Sequence, residues 1–226
     1  MSEMINFLLD LQDQLPLILN GLGYTLLLAA IISVTGFIMG IFILYFSLKE
    51  NIILRKLTNS YISFFIGTPL IVILFLVYYG LPQYHLHLST FAVAVICFTL
   101  NVGAYNAAYL KTAYNGLDNT ELKAAKAQGF TDLEVFKLIV LPQVMRTSIP
   151  ALTNQVISNL KDTSVAFLIE FTGFFARIEE LASSDFQFFK SYVFAALVYL
   201  ILVSIIVIIS RKIEHGFLGS RGGVWI

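Results

Sequence analysis

Long apolar stretches, separated by short polar segments, follow one another along most of the chain. A helix rises 1.5 Å per residue, so about 20 apolar residues cross the roughly 30 Å hydrocarbon core of a bilayer. Stretches of about that length or more lie at 18–46, 61–79, 90–110, 147–175 and 192–210. The pattern therefore predicts an all-α membrane protein of about five transmembrane helices.

The composition agrees with this pattern. Of the 226 residues, 58% are hydrophobic and 12% are charged, whereas soluble domains have about half and about a quarter. The 14 basic and 14 acidic residues balance, so nothing indicates a nucleic acid as a partner. We therefore expect the lipid bilayer to surround most of the chain.

The distribution of Lys and Arg predicts the orientation, because these residues accumulate in cytoplasmic segments. With the N-terminus outside, the outer segments hold only Arg177 and Lys190, and Lys161 lies within the fourth span. The other basic residues are then cytoplasmic: Lys49, Arg55, Lys56, Lys111, Lys123, Lys126, Lys137, Arg146, Arg211, Lys212 and Arg221. An odd number of spans places the C-terminus in the cytoplasm.

The segment 1–17 precedes the first span. It contains three acidic residues and no Lys or Arg, so it lacks the basic start of a secretory signal peptide. Its apolar residues recur at helical spacing, at Ile5, Leu8, Leu9 and Leu15. We expect a short amphipathic helix that lies on the membrane surface.

Patterns typical of catalysis and metal binding are missing from the sequence. Cys97 is the single cysteine, which excludes an internal disulfide or a thiolate cluster. His85 and His87 lie in an outer loop without a third ligand nearby. Neither HExxH nor GxxxxGK occurs. We therefore expect no catalytic residue, metal or cofactor on this chain.

The segment 111–142, between the third and fourth spans, is long enough to have a structure of its own. Asn119 and Thr120 are suitable N-caps for a helix over 121–128. Gly129 follows where such a helix would end. The first half of the segment is therefore predicted to be a short helix.

A second helix is predicted immediately afterwards. Thr131 and Glu134 form a capping box, and Pro142 is expected to end the helix near Leu141. Two short helices exceed what a simple connection needs. From the residues alone two interpretations stay open: a protruding helix that fits a groove on a soluble partner, and an amphipathic linker at the membrane interface.

The same segment resembles the EAA loop of binding-protein-dependent ABC importers. The resemblance lies in the stretch Lys123, Ala124, Ala125 and Gly129, followed by Phe136, Ile139, Leu141 and Pro142. Further motifs resemble the permeases for polar amino acids, of the histidine, glutamine, arginine and cystine type. They are Gly67-Thr68-Pro69-Leu70, Leu81-Pro82, Asn101-Val102-Gly103-Ala104-Tyr105, Pro142-Gln143, Asn154 and Lys161-Asp162-Thr163-Ser164.

This resemblance implies a type-1 (MetI-like) ABC permease domain over 18–214, with a cytoplasmic tail at 215–226 and a coupling loop at 111–142. Within that loop, the helix 120–129 would dock on an ATPase through Glu121, Lys123, Ala124, Ala125 and Gly129. The implied partners are a cytoplasmic ABC ATPase dimer that binds ATP and Mg, a second permease, identical or homologous, and an extracytoplasmic amino-acid-binding protein. The implied location is the bacterial cytoplasmic membrane.

Several residues depart from the family's usual pattern. Lys123 stands where the loop usually has Glu, and Thr120-Glu121 where it has Gly-Gln. Further departures are Ile66 for Arg, Ile73 for Gln, and Ala108 and Lys111 for Glu and Arg. Two explanations stay open: this chain is the less substrate-engaged half of a heterodimer, or its substrate differs from the common ones.

Charged residues within a span cost about 2.5 to 3.5 kcal/mol each at the helix centre on insertion scales, so Asp162 needs a reason. One hypothesis is a translocation path lined by Thr68, Pro69, Asn101, Asn159, Asp162, Thr163 and Ser164. The alternative is that Asp162 only caps and orients the fourth span. An ion-coupled secondary transporter subunit is the competing function, although five spans show no repeated halves.

Overall fold

The computed structural model describes residues 2–218, and every regular element among them is helical. The α-helices are α1 (Ser2–Ser47), α2 (Ile52–Gly67), α3 (Leu70–Gly80), α4 (Thr90–Asn115), α5 (Asn119–Ala127), α6 (Asp132–Val135), α7 (Leu141–Asp162), α8 (Phe174–Asp185) and α9 (Phe188–Leu218). Two 3₁₀ segments, Leu81–Tyr84 and Thr163–Ile169, and a π-helical turn, Phe136–Val140, complete the order.

Four helical runs in the described part of the chain are long and apolar enough to cross a membrane: Leu9–Ser47, Thr90–Asn115, Asp132–Ile169 and Phe188–Lys212. A fifth span results if α2 and α3 count as one, because the run Ile52–Gly67 and the run Leu70–Tyr84 meet at a bend of 98°. The prediction of about five spans is confirmed in this sense, but the second span is broken rather than continuous.

The break between α2 and α3 follows from the residues there. Thr68 ends α2 in an extended conformation, and Pro69 precedes the first residue of α3. Proline has no N–H group and disfavours helical geometry in the residue before it. Thr68 therefore leaves the helical path, although the flanking residues are apolar.

Helix α1 is continuous from Ser2 to Ser47. The segment 1–17 is helical as expected, but it is not a separate helix on the membrane surface, and that part of the prediction is wrong. Phe7 and Ile18, which are 7% and 2% exposed, belong to one buried cluster with Phe174 and Ile178 of α8. Packing against α8 thus extends the first span toward the N-terminus. The domain boundaries at 17 and 214 stay predictions.

The most extensive contact between two described helices joins α1 to α4. Gly36 and Gly40 let the backbones approach closely, because a Cβ on Gly36 would lie 2.5 Å from Val102 Cγ1. A Cβ on Gly40 would lie 2.7 Å from Asn106 Cβ. Small residues are the usual means of bringing membrane helices together.

The first loop helix, α5, forms as predicted with a different cap. The side chain of Asp118 accepts a hydrogen bond from Thr120 N at 2.8 Å. Asn119 and Thr120 lie inside the helix, so the prediction that they cap it is wrong by one or two residues. Gly129 follows with φ +88°, a left-handed conformation that glycine adopts at little cost, and its role in ending the helix is confirmed.

The second loop helix begins as predicted and ends differently. The capping box of Thr131 and Glu134 is present. Pro142 does not end the helix, because α6, the π-helical turn and α7 form one helical run from Asp132 to Ile169. In the wide turn the N–H of Leu141 donates to the carbonyl of Phe136. That shift accommodates Pro142 in the first turn of α7, so the second loop helix is continuous with the helix of the fourth span.

Candidate functional site

A cavity of about 530 Å³ opens where the second span is broken. We call it the break cavity. It lies between the α2–α3 connection, α4, α7 and the segment after α7. Its lining residues are Ile66, Gly67, Thr68, Pro69, Leu70, Ile71, Asn101, Tyr105, Tyr109, Gln155, Ser158, Asp162 and Val165.

The break cavity brings together four of the seven residues predicted for a translocation path: Thr68, Pro69, Asn101 and Asp162. Asn159, Thr163 and Ser164 are not in its lining. Asn159 and Thr163 are buried elsewhere, at 1% and 3% exposure.

One face of α7 supplies the polar wall of the break cavity. Gln155, Ser158 and Asp162 are three and four residues apart, which places their side chains on the same side of a helix. Gln155 and Ser158 were not predicted as site residues. Their spacing from Asp162 was the available signal.

Asp162 has no ion-pair or hydrogen-bond partner within residues 2–218. Its side chain makes no capping bond to the 3₁₀ segment that follows, and Thr163 Oγ1 donates back to the carbonyl of Leu160 at 2.6 Å. The Asp162 side chain therefore does not cap the segment that follows, and the rest of the alternative, that Asp162 orients the fourth span, stays a prediction. Nor does it belong to a metal cluster, because the described residues include no suitable group of three His, Cys, Asp or Glu.

Asn159 lies behind the cavity wall and fixes Gln155. Gln155 Nε2 donates to Asn159 Oδ1 at 2.8 Å, and Asn159 Nδ2 donates to Ser33 Oγ at 3.0 Å. Gln155 itself is 7% exposed. This chain of hydrogen bonds ties α7 to α1 and holds the Gln155 side chain at the cavity wall.

Helix α4 holds the opposite wall through two hydrogen bonds to α2. Asn101 Nδ2 donates to the carbonyl of Phe65 at 2.9 Å, and the hydroxyl of Tyr61 donates to the carbonyl of Leu100 at 2.6 Å. Asn101 thus positions the end of α2 as well as lining the cavity. Tyr105 and Tyr109, also in the lining, were not predicted as site residues.

The start of α3 faces the same cavity. Leu70 and Ile71 line it, and no side chain caps this helix. The first N–H groups of a helix lack partners within it and carry partial positive charge. The break cavity therefore combines a carboxylate, which attracts a cationic group, with a helix start of partial positive charge, which attracts an anionic group.

The coupling residues predicted on the loop divide between two faces of α5. Ala125 is 6% exposed and packs into a buried cluster with Leu44 and Leu110, whereas Lys123 and Ala124 are exposed. Glu121 accepts a hydrogen bond from Gln143 Nε2 at 2.7 Å. The outward face of α5 thus presents a small side chain beside a basic one.

Ion pairs join this loop to the end of α1. Asp132 lies 3.5 Å from Lys49 Nζ and 3.4 Å from Lys126 Nζ, and Lys126 Nζ lies 4.0 Å from Glu50. Lys126, and after it Lys49, holds the pKa of the Asp132 carboxyl below its usual range. This network was not predicted from the sequence, because Lys49 and Glu50 lie more than 70 residues before Lys126 and Asp132.

Comparison with known protein families identifies the chain's relatives. Residues 32–214 match the family described as the binding-protein-dependent transport system inner membrane component. The chain belongs to this family. It is therefore a multi-pass permease subunit of the bacterial inner membrane, a transport component rather than a catalyst. The matched residues lie within the predicted permease domain.

Individual relatives and a solved structure agree with the family. The permease is 35% identical over 209 residues, 91% of each chain, to the probable amino-acid ABC transporter permease protein PatM of Vibrio harveyi. It is 34% identical over 203 residues to the probable amino-acid permease protein YxeN of Bacillus subtilis, covering 88% of this chain and 91% of YxeN. A structure described as an amino acid ABC transporter with histidines matches with a TM-score of 0.82 at 26% identity, covering 92% of the permease and 97% of that chain.

A solved structure with lower sequence identity shares the fold. The MetNI methionine ABC transporter in an inward-facing conformation matches with a TM-score of 0.73 at 16% identity, over 91% of the permease and 98% of that chain. The type-1 permease fold and the resemblance to binding-protein-dependent importers are thus confirmed.

Proposed function

We propose that the permease forms half of the transmembrane path of an ATP-driven importer of polar amino acids, and that the break cavity is part of this path. Relatives described as amino-acid, glutamine, cystine and arginine permeases support the substrate class. The observation that carries the proposal is the unpaired Asp162 carboxylate in a cavity within the candidate spans.

The chemistry of the cavity fits an amino acid. An α-ammonium group is attracted to the Asp162 carboxylate, and an α-carboxylate to the uncapped start of α3. Hydroxyl groups of Thr68 and Ser158 lie in the same lining. An unpaired carboxylate inside a span is costly to retain without such a purpose.

Coupling to the energy source is assigned to α5. Small Ala124 allows close approach of a partner groove, Lys123 offers a charge beside it, and Gly129 sets the direction in which the helix ends. The proposed assembly has a cytoplasmic ATPase dimer that binds ATP and Mg, a second permease, identical or homologous, and an extracytoplasmic binding protein. In this assembly the N-terminus is outside and the loop 111–142 is cytoplasmic.

One experiment tests the coupling. Ala124→Leu, on the exposed face of α5, should reduce copurification of the ATPase subunit and ATP-dependent uptake. Ser183→Leu, at an exposed position of α8, is the matched control and should leave both unchanged. Equal ATPase recovery for the two variants would remove α5 from the docking surface. Uptake that survives ATP depletion while a proton gradient is maintained would support the ion-coupled alternative instead.

A second experiment tests the path. Cys97 is the single cysteine and is fully buried, so a new cysteine is the main target of a charged, water-soluble thiol reagent. Ser158→Cys, in the cavity lining, should react and should be protected by transported amino acids. Ser204→Cys, exposed in the apolar run of α9, should resist the reagent. An unreactive Ser158→Cys in correctly inserted protein would exclude a water-filled path at this position.

A further inference from the structure

A groove of about 420 Å³ runs between α7 and α9. We call it the α7–α9 groove. Its described lining shares no residue with the break cavity. From its first to its last residue on α7 it follows about 10 Å of helix rise, which is most of the roughly 15 Å hydrocarbon depth of one leaflet. The apolar residues that line it are Ile149, Leu152, Val156, Ile206 and Ile209.

Helix α9 lies at the edge of the described bundle, so the groove is open. In the most apolar part of the run Phe188–Lys212, 6% of the residues are buried, against 56% in that of Thr90–Asn115. Val156 and Ile209, in the groove, are 38% and 53% exposed. Within a bilayer, an open apolar groove of this kind takes either the acyl chain of a lipid or an apolar helix of another chain.

Basic residues lie at one end of the groove. Arg146 precedes the first lining residue of α7 by three positions, about one turn, and Arg211 and Lys212 follow Ser210, the last lining residue of α9. In the orientation proposed above, all three are at the cytoplasmic end of their helices. Long basic side chains at such positions reach the headgroup region while their stems stay along apolar surface.

No acidic residue balances these charges within the neighbouring turns of sequence. The stretches 143–153 and 203–212 contain the three basic residues and no Asp or Glu, and the next acidic residue along α9 is Glu214. No ion pair between described residues involves any of the three. A basic cluster beside an apolar groove between two spans suits a ligand that has an anionic head and a hydrocarbon tail.

We infer that the α7–α9 groove binds an anionic phospholipid of the inner leaflet. Its acyl chain lies along the apolar lining, and its phosphate group is held by the three basic residues at the cytoplasmic end. A second copy of this chain is the less suitable occupant, because it brings its own basic cytoplasmic segments to the same level, where like charges repel. The interaction requires no amino acid and is therefore independent of the proposed path.

The test compares two lipids with the same acyl chains, dioleoyl phosphatidylglycerol and dioleoyl phosphatidylcholine. Their binding to the detergent-purified permease, with whichever subunits copurify, is titrated by native mass spectrometry. Each basic residue near the membrane surface favours the anionic lipid by about fivefold, so phosphatidylglycerol should bind about tenfold or more tightly than phosphatidylcholine. Equal affinity for the two lipids would overturn the inference.

Two matched double variants test the basic end of the groove. Arg211→Gln with Lys212→Gln should reduce the preference for phosphatidylglycerol about tenfold. Arg55→Gln with Lys56→Gln removes two exposed basic residues that are also predicted to be cytoplasmic but do not line the groove, so it should leave the preference unchanged. An equal loss in both double variants would mean that net charge, and not this groove, sets the preference, which would also overturn the inference.

Two tryptophan variants test the apolar part. Ile209→Trp fills the groove and should weaken the binding of both lipids. Ile208→Trp is the matched control, because Ile208 is 56% exposed on the same helix but does not line the groove. Equal lipid binding in the two variants would place the lipid elsewhere and contradict the inference. A disulfide between two copies of the Ile209→Cys permease, with no phosphatidylglycerol bound, would show that a second copy covers the groove instead.

Discussion

Close packing of α1 on α4 makes Gly36→Ala a test of the fold. The added Cβ would lie 2.5 Å from Val102 Cγ1 and 2.7 Å from Val102 Cβ, whereas carbon atoms in contact are about 3.5 to 4.0 Å apart. A rotation of Val102 cannot relieve both contacts, since its Cβ is fixed to the backbone of α4. The two helices must therefore separate by about 1 Å at this point.

The magnitude follows from comparison with Gly23→Ala on the same helix. A Cβ at Gly23 meets nothing within 4 Å. Both substitutions gain the helix preference of alanine over glycine, about 1 kcal/mol, but only Gly36→Ala adds the overpacking cost of about 1–3 kcal/mol. The difference between the variants isolates the clash. At about 2–4 °C per kcal/mol for a chain of this size, Gly36→Ala should unfold about 2–12 °C below Gly23→Ala.

The assay is the midpoint of thermal loss of the monodisperse peak in size-exclusion chromatography of detergent-solubilised protein. Adding Val102→Ala to Gly36→Ala makes room for the new methyl group, so the double variant should lose less stability than the sum of the two single variants. Equal midpoints for Gly36→Ala and Gly23→Ala, or simple additivity in the double variant, would refute the close approach of α1 and α4 at Gly36.

Four further predictions concern the loop. Gly129→Ala places a side chain at φ +88° with no neighbour within 4 Å, so it should cost about 1–2 kcal/mol from backbone strain alone. Substrate-stimulated ATPase activity should fall, and less so for Gly129→Asn. Thr131→Ala removes half of the capping box at a cost of about 1 kcal/mol, which should accelerate proteolysis within the loop. Because Lys126 lowers the pKa of Asp132 below its ordinary value of 3.8, the ion pairs should persist at neutral pH and weaken only as the pH falls below that value. The test is the rate of hydrogen exchange in the loop, measured as a function of pH and salt. An equal rate in the wild type and in Asp132→Asn at neutral pH would contradict a role of these ion pairs. Because the proposed docking face presents the positive charge of Lys123 to the ATPase, Lys123→Glu should impair ATP-dependent uptake. Unimpaired uptake would mean that this position tolerates either charge.

Local patterns in the sequence predicted the elements that depend on near neighbours. The apolar stretches gave the number of spans, because a segment's transfer into lipid depends on its own composition. Thr131 and Glu134 form their capping box, and Gly129 ends α5, since the groups involved are within a few residues of each other. The family motifs identified the protein class, because such motifs are read directly from the identity of neighbouring residues.

Longer-range packing determined the structure at positions where these local patterns were insufficient to predict it. Pro142 remains within a helical run because the π-helical turn before it changes the hydrogen-bond register. The segment 1–17 continues α1 because Phe7 finds a buried place beside α8, more than 160 residues away in sequence. Neither outcome can be derived from the residues adjacent to the proline or the phenylalanine.

The functional side chains show the same division. The sequence by itself determined that Asp162 is a charge within one predicted span and that Thr68 and Pro69 lie in another. Only the tertiary structure decided that these residues share one cavity, that Gln155 and Ser158 join them, and that Asn159 bonds Ser33, 126 residues away, behind the wall. The physical reason is that composition brings a helix into the membrane, whereas contacts with other helices fix its rotation and so determine which of its polar residues face a substrate.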